Sequence, residues 1–226
     1  MQANTMPAVQ YTVWPDDLHG HRFTVKLVIE NPDPAGQIIA MPAWIPGSYL
    51  IRDFSKQIET ITAFTSVKKT ELRKLIPLER LDNDRWRLPK NIGSCEIITT
   101  VYAFDQSVRT AYLDQNRGFF NLTSLCLGVQ GQAHLPCSLA IAPPADQTLL
   151  QWDVQCTLTP VKTDSNGFGF YLAKNYDDLI DHPIALGHFD VIEWEVFGTN
   201  HAMVIQGLSS EQSELLDKKR LADDLR

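Results

Sequence analysis

The run Trp152-Asp153-Val154-Gln155-Cys156-Thr157-Leu158-Thr159 alternates apolar and polar residues without a break. Successive side chains on a strand point to opposite faces, so Trp152, Val154, Cys156 and Leu158 share one face and the four polar residues the other. That is the pattern of a half-buried antiparallel strand. Less regular alternation predicts further strands over 10–14, 22–30, 37–43, 56–65, 84–88, 95–104, 138–142, 168–172, 191–197 and 201–206. Turn-forming clusters separate them, among them Asn31-Pro32-Asp33-Pro34, Asp82-Asn83-Asp84, Ala142-Pro143-Pro144 and Asp164-Ser165-Asn166-Gly167. Many short strands with no long helix between them predict a mainly β fold, an antiparallel β-sandwich or a twisted, saddle-like sheet.

Two helical signals interrupt this pattern. Asn175 can cap a short internal helix over 176–181, which must end near His182 because Pro183 disfavours helix in the residue before it. At the other signal, Ser209 and Gln212 fit a capping box, and Leu215, Leu221, Ala222 and Leu225 give an incomplete apolar stripe. Asp223 and Asp224 stand where a helix end favours cations, and no Gly or Asn follows, so the helix is expected to be truncated. Residues 1–206, which show no linker-like change of composition, are expected to form one β domain, with 207–226 the start of a helix leading onward.

The 226 residues are 44% hydrophobic, enough for a substantial core, and a net charge of −7 without a long basic cluster argues against a nucleic-acid partner. The longest mostly apolar stretch, 38–46, contains two prolines and falls short of the about 20 residues needed to span a bilayer, so no membrane partner is expected. Residues 1–10 lack a basic and an apolar leader region, which predicts a cytoplasmic protein, or a periplasmic one if a signal has been trimmed. Cys95, Cys126, Cys137 and Cys156 have no metal-knuckle spacing and are expected to be reduced, mostly buried thiols.

Recognisable reaction machinery is scarce. There is no His-Glu-x-x-His, no Gly-x-Ser-x-Gly elbow and no phosphate-cradling glycine loop. His19 and His21 would need a third ligand to chelate a metal, and Ser48 reads as a turn residue. Asn121-Leu122-Thr123 matches a glycosylation sequon. More distinctive are four segments that set charges among bulky apolar residues. They are 42–54 (PAWIPGSYLIRDF), 108–114 (VRTAYLD), 117–121 (RGFFN) and 176–183 (YDDLIDHP). Buried ion pairs are the favoured reading, with Arg52 and Arg109 fixed bidentately by Asp53, Asp114 or Asp181. The other reading places the same groups on the rim of a pocket for a small charged ligand.

Taken in order, these four segments resemble the N-terminal region of the glycyl-aminopeptidase family, bacterial zinc metallopeptidases that often carry a PDZ domain. The resemblance runs from about Tyr11 to Arg226. It implies a noncatalytic β-rich N-terminal domain preceding a thermolysin-like catalytic domain with a zinc helix, and then a PDZ domain. It further implies that the parent enzyme removes glycine- or alanine-like N-terminal residues from peptides and that this domain packs on the catalytic domain and shapes substrate access. No cofactor is then expected in this chain, which is expected to be inactive alone; zinc would belong to the catalytic domain, with that domain and peptide substrates as partners. Tyr49, Arg52, Asp53, Arg109, Tyr112 and Asp181 are the candidates for the cleft or domain contact.

An alternative from another class is a free-standing β-sandwich module for peptide or carbohydrate, suggested by five tryptophans and the aromatic-flanked arginines. A third, an enzyme acting through Asp181 and His182, has only their adjacency in its favour.

Overall fold

A computed structural model describes residues 6–45, 47–65 and 73–225. Pro46 of the first motif and Arg226 lie outside the described residues. In chain order the strands are β1 (Val9–Asp17), β2 (Arg22–Ile29), β3 (Ile38–Ala40), β4 (Ile58–Thr65), β5 (Leu75–Ile76), β6 (Glu79–Arg80), β7 (Arg85–Arg87), β8 (Cys95–Tyr102) and β9 (Ala111–Leu113). They continue with β10 (Arg117–Phe120), β11 (Gly128–Val129), β12 (Cys137–Ile141), β13 (Asp153–Gln155), β14 (Thr159–Thr163), β15 (Gly169–Ala173), β16 (Ile184–Gly187), β17 (Phe189–Val196) and β18 (Thr199–Gln206).

The expected mainly β fold is present, as one large sheet with smaller sheets laid over it. Eight strands in the order β14-β15-β12-β1-β2-β8-β4-β5 form the large sheet. All its pairings are antiparallel except β1 with β12. Period-two alternation fixes its inner face: Tyr171, Leu139, Tyr11, Leu27, Ile97, Ala63 and Ile76 stand in one row across seven strands, all buried. Two four-stranded sheets, β13-β16-β10-β9 and β11-β3-β7-β6, share the core with that face. Phe23 of the large sheet meets Phe120 of β10 edge to face at 4.9 Å. Each such large side chain contributes about 1.5–3 kcal/mol through burial.

The decisive run behaves as a burial pattern but not as one strand. Trp152, Val154 and Leu158 are buried, and Asp153, Gln155, Thr157 and Thr159 are not. The chain nevertheless breaks at 156–158, so that β13 pairs with β16 while β14 pairs with β15 in the large sheet. Alternation records which side faces the core, and one core is shared by both layers here.

The cap at Asn175 forms as expected: its side chain accepts from the Asp178 N–H and opens α2 (Tyr176–Ile180). A one-turn helix, α1 (Gln147–Leu150), was not expected. The capping box at Ser209 is present, yet the expected single helix is two, α3 (Ser210–Glu214) and α4 (Lys218–Asp224). Asp217 caps the second by accepting from the Arg220 N–H, a competing cap that ends the first.

All four cysteines are free thiols, with Cys95, Cys126 and Cys137 buried and Cys156 half-buried. Burial pushes the Cys95 and Cys137 thiols up to about 12, which leaves them unreactive. Among the described residues no helix is long and apolar enough to cross a membrane.

Candidate functional site

Met41 ends its strand region by donating its N–H to the Asp84 carbonyl, and the chain then leaves the sheet as a self-tied loop. Arg52 N–H donates to the Ala43 carbonyl at 2.7 Å and closes it. Ser48 is its hub: the hydroxyl donates to the Leu50 carbonyl and accepts from Arg52 Nε at 2.9 Å, while Trp44 Nε1 donates to the Ser48 carbonyl. Ser48 is indeed a turn residue, and a buried one. With the polar groups turned inward, Tyr49, Leu50 and Ile51 are left exposed, together with Trp44. Four large apolar side chains thus stand out together on this loop.

The second and third segments pack as a hairpin that sequence reading had not assigned as strands. Asp114 makes its turn: Oδ1 accepts from the N–H groups of Asn116 and Arg117, and Oδ2 from the Tyr112 hydroxyl at 2.9 Å. Arg117 lies over the Tyr112 ring at 4.7 Å, and Phe104 stacks on the same ring at 5.3 Å. Burial works to raise the Asp114 carboxyl, but the two backbone N–H groups, the Tyr112 hydroxyl and the Arg117 charge together hold it below its ordinary value. The Asp-x-Asn turn before alternating Arg117 and Phe119 was the signal available for this hairpin.

All four segments meet at one depression of about 700 Å³. Ile45 comes from the first, Val108 and Arg109 from the second, Asn121 from the third, and Asp177, Asp178, Ile180 and Asp181 from the fourth. Asn121 ties the second and third together: its N–H donates to the Thr110 carbonyl, and its buried side-chain amide donates to the Val108 carbonyl. The sequon at Asn121 is therefore spent on internal hydrogen bonds. Lys174 also lines the depression and was missed, since a single lysine at a strand end carries no pattern.

The six candidates divide accordingly. Arg109 and Asp181 are brought together in the depression, and Tyr49 stands fully exposed on the neighbouring loop. Arg52 anchors that loop through Ser48. Asp53, in a left-handed conformation (φ 47°), faces a different hollow with Lys56 and Arg80, and Tyr112 is buried in the hairpin brace. The expected bidentate pairing is corrected: among the described residues neither Arg52 nor Arg109 forms an ion pair, and Asp114 is committed to its own turn. A side chain in a loop lacks the fixed cross-strand neighbour that would have supplied the carboxylate.

The histidines do not gather. His21 Nδ1 sits 2.6 Å from the Leu113 carbonyl, whereas His19 Nδ1 meets the Gln115 amide. His182 Nδ1 meets the Thr157 hydroxyl at 2.6 Å and its Nε2 lies 3.9 Å from Asp178 Oδ1, and His182 is not among the residues that line the depression. Among the described residues no group of three or more His, Cys, Asp or Glu is placed to hold a metal ion. Charges of both signs around an apolar floor, beside a bare ridge rich in aromatic residues, have the composition of a recognition surface.

The solved structure of an aminopeptidase N family protein from Idiomarina loihiensis superposes with a TM-score of 0.85 at 39% identity, covering 96% of this chain and 35% of that one. The chain thus spans about a third of that neighbour's length. No curated protein matches the chain. The model of the peptidase M61 N-terminal domain matches residues 10–188, and the chain belongs to the peptidase M61 family through that domain.

Proposed function

We propose that this chain is the noncatalytic N-terminal domain of a zinc-dependent aminopeptidase, and that the loop face around the four-segment depression docks on the catalytic region and narrows the approach to its cleft. The observation that carries this reading is the convergence of all four segments on one depression beside the bare ridge of Trp44, Tyr49, Leu50 and Ile51. A ridge of that kind gains by burial against a second surface, and the unpaired Arg109 and Arg52 can complete hydrogen bonds there. The zinc implied by the family finds no ligand set among the described residues, so the bond-breaking chemistry is assigned to the catalytic region and no step of it to this chain. The proposed division keeps residues 1–206 as the β domain, with α3 and α4 leading onward.

The test is Tyr49→Ser with Leu50→Ser and Ile51→Ser in the full-length protein. Tyr49 is fully exposed and Leu50 and Ile51 largely so, and the melting temperature of the 226-residue chain should change little. Turnover of short peptides should fall, or the preference for short over long peptides should relax. Unchanged turnover and unchanged length preference would overturn the docking role.

A further inference from the structure

The main core is built from residues between Val9 and Leu186, and among the described residues no apolar side chain of 189–225 joins it or packs against it. Ile192 is nonetheless buried, so it belongs to a second, small core. The register of the β17–β18 hairpin shows where that core lies. Asp190, Ile192 and Trp194 alternate onto one face, opposite Ile205, Met203 and His201. On that face Asp190 pairs with Lys218 of α4 at 2.8 Å and accepts from the Ser213 hydroxyl of α3. The hairpin is thus covered by its own helices.

Its other face is turned toward the larger sheets, and there Glu193, Glu195, Ala202 and Val204 are all exposed. A groove of about 740 Å³ lies between them and Phe119 and Ala185 of β10 and β16. Two bodies are locked together only by a large apolar interface, which this boundary lacks. Main-chain contact is equally sparse. Among the described residues neither a strand ladder nor a main-chain hydrogen bond of the loops and turns joins 189–225 to the rest of the chain. One side chain does cross, since Gln206 Nε2 donates to the Leu186 carbonyl at 3.0 Å.

The chain passes from one body to the other through Gly187 and His188. Gly187 ends β16, where it is paired with Arg117 on one side and Asp153 on the other. Its φ of 138° favours glycine, and a Cβ there would meet the Gln206 amide nitrogen at 2.5 Å and the Asn116 carbonyl at 3.2 Å. His188 is exposed and outside any strand. A few residues at the end of an element are where a change of backbone angle is absorbed most easily.

We infer that residues 189–225 are a second rigid body, which opens and turns independently of residues 9–187 about the joint Gly187–His188. The joint lies inside residues 1–206, so the two hairpin strands move with α3 and α4. Any surface that holds the hairpin or these helices turns with them, and the joint is therefore independent of what covers either face. It goes beyond the docking role of the loop face and does not rest on it.

The test uses the 226-residue chain, weakly aligned, and reads the residual dipolar couplings of its backbone amides. Residues 9–187 and 189–225 are expected to give alignment tensors of unequal magnitude, the smaller for 189–225. Equal magnitude and rhombicity would overturn the proposal. Amide exchange in low denaturant tests the independent opening. A two-stranded ribbon covered on one face is only marginally stable, so β17 and β18 should have lower protection than β1, β2 and β8. Ile192→Ala should speed exchange in β17 and β18 by about tenfold or more, or abolish their protection, and leave β1, β2 and β8 within about twofold. Phe120→Ala, in the main core, should do the reverse. Acceleration of both sets of strands by either variant would overturn the proposal, because the two bodies would then open as one.

Discussion

The β9–β10 hairpin and the loop 43–53 both set an arginine among aromatic residues, yet they solve the charge differently. In the hairpin, Arg117 lies on the Tyr112 ring, Tyr112 donates to Asp114, and Asp114 closes the turn, so the charges are spent on holding the fold. In the loop, Arg52 reaches a hydroxyl and, among the described residues, no carboxylate, while the apolar side chains beside it face outward. A strand ladder fixes cross-strand neighbours at short range and so supplies partners. A loop held by its own backbone leaves valences open, and these are available to something outside the chain.

The widest separation of the two regions comes from truncating a side chain in each. Phe120→Ala, at a fully buried position against Phe23, is expected to cost about 3–5 kcal/mol in chemical denaturation. Tyr49→Ala, at a fully exposed one, should stay within about 0.5 kcal/mol. A Tyr49 loss comparable to that of Phe120 would mean the loop braces the fold, and the contrast would collapse.

Within the hairpin, Tyr112→Phe removes the hydroxyl from Asp114 and should cost about 1 kcal/mol. The pH dependence has a definite sign. Asp114 has its carboxyl held below the ordinary value, so it stabilises the folded state fully above the unfolded carboxyl value near 3.9 and loses that effect as pH falls through the lower, folded one. Asp114→Asn should therefore flatten the acid limb of the stability curve below about pH 4, read from thermal melts across pH. An unchanged acid limb would show that the carboxylate is not part of the brace.

What the sequence disclosed follows the same division. Strands β1, β2 and β8 of the large sheet were legible because one face is buried along most of their length, as in Val9, Tyr11 and Val13, whereas β14, exposed at every position, and the two-residue β5 were not. The hairpin was not, because Arg117, Gly118 and Asp114 look like loop chemistry until Asp114 is recognised as a turn residue bonded to its own backbone. The split of the 152–159 run was hidden for another reason: a pattern of period two names the buried side but not the partner strand. At the site, the four segments were legible as a group, and their convergence is seen at the depression. Arginine pairing was not legible, since carboxylates adjacent in sequence, such as Asp53, can face another hollow.

Ser48→Ala tests whether the loop is held by its own hub. The hydroxyl joins Leu50 and Arg52, and its loss should cost about 0.5–1 kcal/mol. It should also speed amide exchange at Arg52, whose N–H closes the loop on Ala43, while leaving exchange in β10 unchanged. Faster exchange in both regions would mean that the loop and hairpin open as one unit.

The smallest expected effect is the most discriminating. Arg109→Ala removes a half-buried guanidinium that forms no ion pair among the described residues, so it should shift stability of the 226-residue chain by no more than about 0.5 kcal/mol. Asp181→Ala, across the same depression and exposed, should be equally silent. The hairpin counterpart, Arg117→Ala, loses packing on Tyr112 as well as charge and should cost more than either. Thermal melts of the three variants in parallel decide the matter. If Arg109→Ala proves as costly as Arg117→Ala, the depression is a braced part of the fold and the contrast between spent and open charges fails. If it is silent in the isolated chain but lowers peptide turnover in the full-length protein, the open valence of Arg109 is satisfied across the docked surface.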